Sequence, residues 1–194
     1  MTLSQLSPHR LPLLLALCVT LITLGGSEFS AFFRYEREAI LHGQVWRIFS
    51  GHLAHLGWSH LSMNVAGLAL IWALTVGVYS NTQWLLILAG LMLGTSFGLL
   101  VLNPELVWYV GLSGVLHGML TAGVIADIRN GSRSAYLLLI AVAGKLIWEQ
   151  FAGPLPGSQA TAGGTVIVDA HLYGGICGII LGALLTPQKT VNVS

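Results

Sequence analysis

The sequence is poor in charge. Asp, Glu, Lys and Arg make up only 8% of its 194 residues, about a third of the ~25% usual in soluble domains. So few charges would not keep the chain in solution. No basic run is present either. Eight Lys and Arg face seven Asp and Glu, a formal charge of +1, which argues against nucleic acid as a partner. Cysteine is scarce. Cys18 and Cys177 each stand inside an apolar run, where a structural disulfide is not expected, so they say nothing of redox compartment. Internal repeats and low-complexity stretches are also missing.

What remains is apolar. Hydrophobic residues account for 55% of the chain, and counting glycine in and tyrosine out brings apolar usage to about 65%, against ~45–50% in a soluble domain. The mean hydropathy is +0.79. A soluble fold could not hide so much apolar surface, so the composition is that of an integral membrane protein. Six apolar segments are legible, at about 11–24, 60–79, 84–102, 113–128, 135–152 and 170–186. They are separated by turn-forming stretches such as Asn103-Pro104-Glu105 and Gly153-Pro154-Leu155-Pro156-Gly157. At ~20 residues per span, six helices consume about 120 residues and leave no room for an extramembrane domain. Residues 1–194 are therefore expected to form one all-α, six-helix membrane domain. Several segments are short for a ~30 Å hydrocarbon core, which implies local thinning or helices that begin below the surface.

The first segment follows His9-Arg10 and shares features with a signal peptide, but no A-x-A pattern comes after it. The longest connection, about 25–59, mixes Trp46 and Arg47 with Glu28, Arg34, Glu36, Arg37 and Glu38 and reads as an interface-lying loop. Trp46, Trp58, Trp84, Trp108 and Trp148 lie near segment ends and read as interfacial anchors. With both ends cytoplasmic, Arg10, Arg129, Arg133 and Lys189 lie inside, and Arg34, Arg37, Arg47 and Lys145 lie outside or near that side. Three of the outer four belong to the long loop, where the positive-inside rule weakens, so both ends inside is the expected orientation.

Polar residues at membrane depth are costly to bury and default to functional candidates. Asn64 falls four residues after His60 and so shares its helix face. These two residues suit either an interhelical hydrogen-bond network or donors to an oxyanion, whereas His55, just outside the span, reads as a network member. Ser113 stands in Gly111-Leu112-Ser113-Gly114 at the start of the fourth segment. Glycines on both sides permit a tight turn, and a serine at a helix N-terminus faces free N–H groups and the positive dipole end. That is a place for the oxyanion of an acyl intermediate, or simply a helix-capping serine. His171 opens the sixth segment with Gly174, Gly178 and Gly182 on its face. Small-xxx-small spacing allows close helix approach, so His171 is either a polar tie between helices or a group carried to Ser113 on the fourth. His9 and His42 read as interfacial and solvated. His52-x-x-His55 has metal-ligand spacing, but no cysteine or carboxylate cluster accompanies it, so no metal is expected. Lys145 and Glu149 form an i,i+4 pair expected to neutralise each other. Asp169 points to another helix face than His171, so no carboxylate is expected to orient the histidine.

Taken together, Trp46-Arg47, His55-x4-His60-x3-Asn64, Gly111-x-Ser113-Gly114 and Ala170-His171-x2-Gly174-x3-Gly178 resemble the motifs of the rhomboid family of intramembrane serine proteases, over about residues 43–185. The resemblance implies a six-helix rhomboid core without cofactor. Ser113 would be the nucleophile and His171 the base, with His60, Asn64 and the Ser113 amide holding the oxyanion. Trp46-Arg47 would belong to an interfacial first loop that His55 helps support. It also implies cytoplasmic termini and an active site on the outer side, the periplasm for a bacterial inner membrane. Four residues after the serine, where many rhomboids carry an aromatic that packs on the catalytic histidine, this chain has His117. The stretch Gly-Leu-Ser-Gly-Val-Leu-His-Gly is similar to the rhombosortase subgroup, which implies membrane-anchored substrates with C-terminal Gly-Gly-type sorting tails. Three alternatives stay open: a general rhomboid protease of single-span proteins, a non-catalytic rhomboid-like binding protein, and a histidine-lined transporter or metal-handling protein.

Overall fold

The computed structural model describes residues 9–188. Lys189, one of the charges in the orientation argument, lies outside them. The chain is mostly helical. Six longer helices follow the six apolar segments: α1 (Arg10–Leu24), α5 (Trp58–Thr75), α6 (Asn81–Leu102), α7 (Ser113–Arg129), α8 (Ser134–Ala152) and α10 (Val168–Leu184). Short helices occupy the connections: α2 (Gly26–Phe33), α3 (Arg37–Leu41), α4 (Arg47–Ser50) and α9 (Ser158–Ala162). Of the longer helices, α6 and α8 are long and apolar enough to cross a membrane by length and composition, and α1 and α10 are shorter apolar helices.

Local chemistry sets the boundaries. α6 begins at Asn81 because Ser80 and Gln83 form a capping box, with Ser80 Oγ accepting from the Gln83 N–H and Gln83 Oε1 from the Ser80 N–H. α5 stops at Thr75, four residues before the end of its apolar segment. Val76 is extended and Gly77 adopts φ +84°, a left-handed conformation that ends helices. Val78 and Tyr79 then turn inward and join the core.

α7 is the central helix, packed against α5, α6, α8 and most extensively α10. Glycine makes that last contact close. A Cβ at Gly174 would run into the Gly114 carbonyl, one at Gly178 into Gly118 and Thr121, and one at Gly182 would approach the Ala122 carbonyl at 2.9 Å. Thr121 Oγ1 donates to the Gly175 carbonyl at 2.9 Å across the same contact.

Three features depart from the sequence reading. The all-α expectation omits a small antiparallel pairing in which β1 (Tyr35–Glu36) lies beside β2 (Trp108–Tyr109), with Tyr35 opposite Tyr109. It ties the long first connection to the segment leading into Ser113, and the Gly111 N–H donates to the Gly51 carbonyl at 3.2 Å in the same region. Trp84 is not an interfacial anchor. It is fully buried, with Trp72 and Tyr79 packed on its ring, because its side chain faces the end of α5 and the turn after it. Trp46, Trp58, Trp108 and Trp148 are exposed. His9 accepts a hydrogen bond from Trp72 Nε1 at 3.1 Å rather than facing solvent alone, whereas His42 is exposed.

Within the first connection, Arg47 is buried and holds the turns together. It donates to the carbonyls of Ala31 and Arg34 and to Gln44 Oε1. Phe29, Phe32, Leu41, Val45 and Trp46 remain exposed around it, leaving the connection with an apolar outer surface.

Candidate active site

Ser113 is the first residue of α7. The turn before it requires Gly111, whose φ of +129° is open to glycine almost alone. A Cβ there would also lie 2.8 Å from Cε1 and 3.0 Å from Nε2 of His60. Tyr109 secures the turn from below, its hydroxyl donating to the Gly111 carbonyl at 2.6 Å. Leu112 is fully buried in the main core cluster and anchors the helix start.

The close α7–α10 packing sets His171 beside this serine. His171 Nε2 lies 2.9 Å from Ser113 Oγ. On the other side of the ring, Nδ1 lies 2.9 Å from Glu149 Oε2. A carboxylate only accepts, so Nδ1 carries the proton, and Nε2 is left to accept the serine hydroxyl proton. This corrects the expectation that no carboxylate orients His171. Asp169 is indeed directed elsewhere, accepting from Asn103 Nδ2 at 2.6 Å; the carboxylate comes instead from Glu149 in the last turn of α8. The Lys145–Glu149 pair is present, Nζ to Oε1 at 2.8 Å, but it uses one oxygen and leaves the other to the histidine. The available signal was a carboxylate within an apolar segment, a functional candidate by default, but Lys145 one turn away accounts locally for its charge.

His117 stacks face to face on His171, with centroids 4.3 Å apart and planes 20° from parallel. Its Nδ1 donates to the Ser113 carbonyl at 2.8 Å, and it makes no described bond to the serine hydroxyl. His117, Glu149 and His171 offer three metal-type ligand atoms within 4.8 Å. Stacked rings cannot both aim in-plane lone pairs at one ion, and the Lys145 ammonium already occupies the carboxylate, so the cluster suits a polar network better than a cation.

His60 and Asn64 face the same space from α5. The Leu56 N–H points to His60 Nδ1 at 3.4 Å, which leaves the proton on Nε2, the atom directed toward Gly111. Asn64 Nδ2 donates one hydrogen to the His60 carbonyl at 3.0 Å and retains a second. His55 supports this wall. It is buried, donates from Nδ1 to the Leu53 carbonyl and meets the His60 ring edge-on at 5.0 Å. His52 and His55 do not converge as metal ligands. His52 is fully buried and its Nε2 lies 3.0 Å from both the Met92 carbonyl and Ser96 Oγ, while Ser96 donates to Ile48. Burial pushes both imidazoles down to about 4 and keeps them neutral.

Ser113, His171, His60, Asn64, His117 and Glu149 all line one cavity of about 270 Å³. Its far wall is apolar, from Met63, Gly67 and Ile71 of α5 and Leu116 and Leu120 of α7. Leu155, Ser158 and Ala162, in and around α9, cover it, and Ser59 Oγ donates to the Thr161 carbonyl to fasten that cover to α5.

Apolar helices around a largely apolar cavity, into which a few polar side chains project, mark an integral membrane protein. The family model described as Rhomboid domain matches residues 42–188. The chain belongs to the rhomboid family, whose members are generally intramembrane serine proteases acting on membrane-protein substrates. A comparison with curated proteins finds no significant match.

Proposed function

We propose that this chain is an intramembrane serine endopeptidase in which Ser113 is the nucleophile and His171 the general base. The observation that carries the reading is the 2.9 Å contact between Ser113 Oγ and His171 Nε2 inside a cavity that also holds unused donors on His60 and Asn64. Ser113 Oγ attacks the scissile carbonyl carbon as its proton passes to Nε2, and the carbonyl electron pair moves onto oxygen. The Ser113 amide at the positive end of α7, His60 Nε2–H and the second Asn64 N–H stabilise that oxyanion. His171 then protonates the departing amine as the C–N bond breaks, and water repeats the sequence to release the acyl group.

Six spans with both ends cytoplasmic, α1, α5, α6, α7, α8 and α10, form one membrane unit in this proposal. The exposed aromatic residues of the first connection rest in the interface. Catalysis then faces the periplasmic side of a bacterial inner membrane. The substrates we propose are membrane-anchored proteins with C-terminal Gly-Gly-type tails. His117 stacked on His171 supports this rhombosortase-like reading, as does a confined cavity in which glycine spares the scissile backbone any side chain. Glycine also disfavours helix by ~1 kcal/mol relative to alanine, easing the extended conformation that attack requires.

Co-expression with a Gly-Gly-tailed protein and mass spectrometry of the new C-terminus tests both levels. Cleavage at the tail that is lost on Ser113→Ala and on replacing the tail glycines with leucine is expected. Equal cleavage of a membrane segment without glycine would reduce the activity to that of a general rhomboid protease.

A further inference from the structure

We propose that Glu149 is a positioning residue for this reaction, making the site a Ser113–His171–Glu149 triad with Lys145 as the polarity key that keeps the carboxylate in register. The inference rests on the serine-protease reading above and adds a third member drawn from α8.

Glu149 is only 3% exposed, and both of its oxygens are committed in different directions. Oε2 accepts from His171 Nδ1 at 2.9 Å, and Oε1 faces Lys145 Nζ at 2.8 Å. A neutral imidazole carries one proton and two tautomers compete for it. With the proton on Nδ1, Nε2 can accept from Ser113; with the proton on Nε2, the ring donates to the serine and cannot act as its base. The Glu149 carboxylate selects the first. When Nε2 takes the serine proton, the imidazolium keeps its Nδ1–H, and the adjacent negative charge stabilises it without itself becoming protonated. A buried carboxylate would be costly alone, and the Lys145 ammonium offsets its charge from the side away from the histidine. His117, stacked on the ring face, prevents the imidazole from swinging away.

This arrangement makes a prediction that a helix-bracing role for Glu149 does not. In Glu149→Gln the amide is isosteric but has one oxygen and one NH₂. Lys145 can only donate, so it draws the amide oxygen, and the NH₂ is turned toward His171 Nδ1. The ring is then forced into the Nε2–H tautomer. Glu149→Gln should therefore be strongly impaired, and adding Lys145→Met, which frees the amide to flip, should restore part of the loss.

The test uses the full chain in detergent or nanodiscs, with variants compared at equal folded amount. Fluorophosphonate labelling at Ser113 is timed, and the His171 tautomer is read from imidazole ¹⁵N shifts assigned by difference with His171→Ala. Expected are an Nδ1–H tautomer in the wild type, labelling slowed on the order of 10²-fold or more in Glu149→Gln with the tautomer reversed, and at least about tenfold recovery in Lys145→Met/Glu149→Gln, roughly the order that one restored hydrogen bond supplies. An Nε2–H tautomer in the wild type, or wild-type labelling by Glu149→Gln, would overturn the proposal. If the wild-type protein fails to label at all, the serine-protease reading falls, and the tautomer still decides the role of Glu149.

Discussion

Ser113 Oγ and His171 Nε2 are hydrogen-bonded at 2.9 Å across 58 residues of sequence, and glycine is the reason they meet. Gly174 and Gly178 admit the α7 backbone so closely that a Cβ at either would collide with a carbonyl of Gly114 or Gly118. The site's geometry is thus a consequence of helix packing, set one and two turns beyond the histidine, rather than of the loops around it.

Gly111 bears two constraints at once, a positive φ and a His60 ring where a Cβ would stand. Gly111→Ala adds backbone strain of about 1–3 kcal/mol and pushes the His60 donor aside. Probe labelling of the inserted protein should fall at least about tenfold, the order that loss of a single well-placed donor commonly reaches or exceeds. Labelling at the wild-type rate would show that neither constraint matters to the reaction.

Asn64→Ala removes one donor facing the cavity and also the bond to the His60 carbonyl. Losing an oxyanion donor commonly costs ~10²–10³ in rate, and with His60 and the Ser113 amide sharing the charge the loss should lie at or below the low end. Steady-state cleavage should show a lower kcat with KM little changed. An unchanged kcat would place Asn64 among residues that only tie helices.

Stability should fall with acid through His52. Its imidazole is pushed down to about 4 by burial, from an ordinary 6.5, so the unfolded chain binds this proton more readily than the folded one. The contribution is intact above about pH 6.5 and is lost progressively as pH falls toward 4, on the order of 3 kcal/mol across the window. Thermal melts in detergent between pH 7.5 and 4.5 should show a falling Tm, with a shallower slope in His52→Gln. An equal slope in that variant would assign the acid sensitivity to other groups.

Much of this was legible in the sequence because membrane helices advertise themselves by apolar runs and because polar residues inside such runs have few reasons to be there. Ser113, His171, His60 and Asn64 stand out on that ground, and the four-residue glycine spacing marks the α10 face that carries His171. Glu149 was not legible as a histidine partner. Lys145 one turn away offers a complete local explanation for its charge, and sequence does not reveal that a carboxylate has a second oxygen aimed at another helix. His52 escaped similarly, its partners Met92 and Ser96 lying on α6 some forty residues away. Trp84 misled because a tryptophan at a span end looks the same whether it faces headgroups or, as here, the neighbouring helix end. The Tyr35–Tyr109 pairing is too short to leave an alternating pattern.

The proposed mechanism requires His171, rather than His117, to be the base for Ser113, and the labelling rate of Ser113 by a fluorophosphonate probe measures this most directly. Wild type should label and Ser113→Ala should not. His171→Ala should lose labelling, while His117→Tyr, which keeps a ring stacked on His171, should retain it at a reduced rate. Persistent labelling of His171→Ala together with none in His117→Tyr would contradict the account and exchange the two roles.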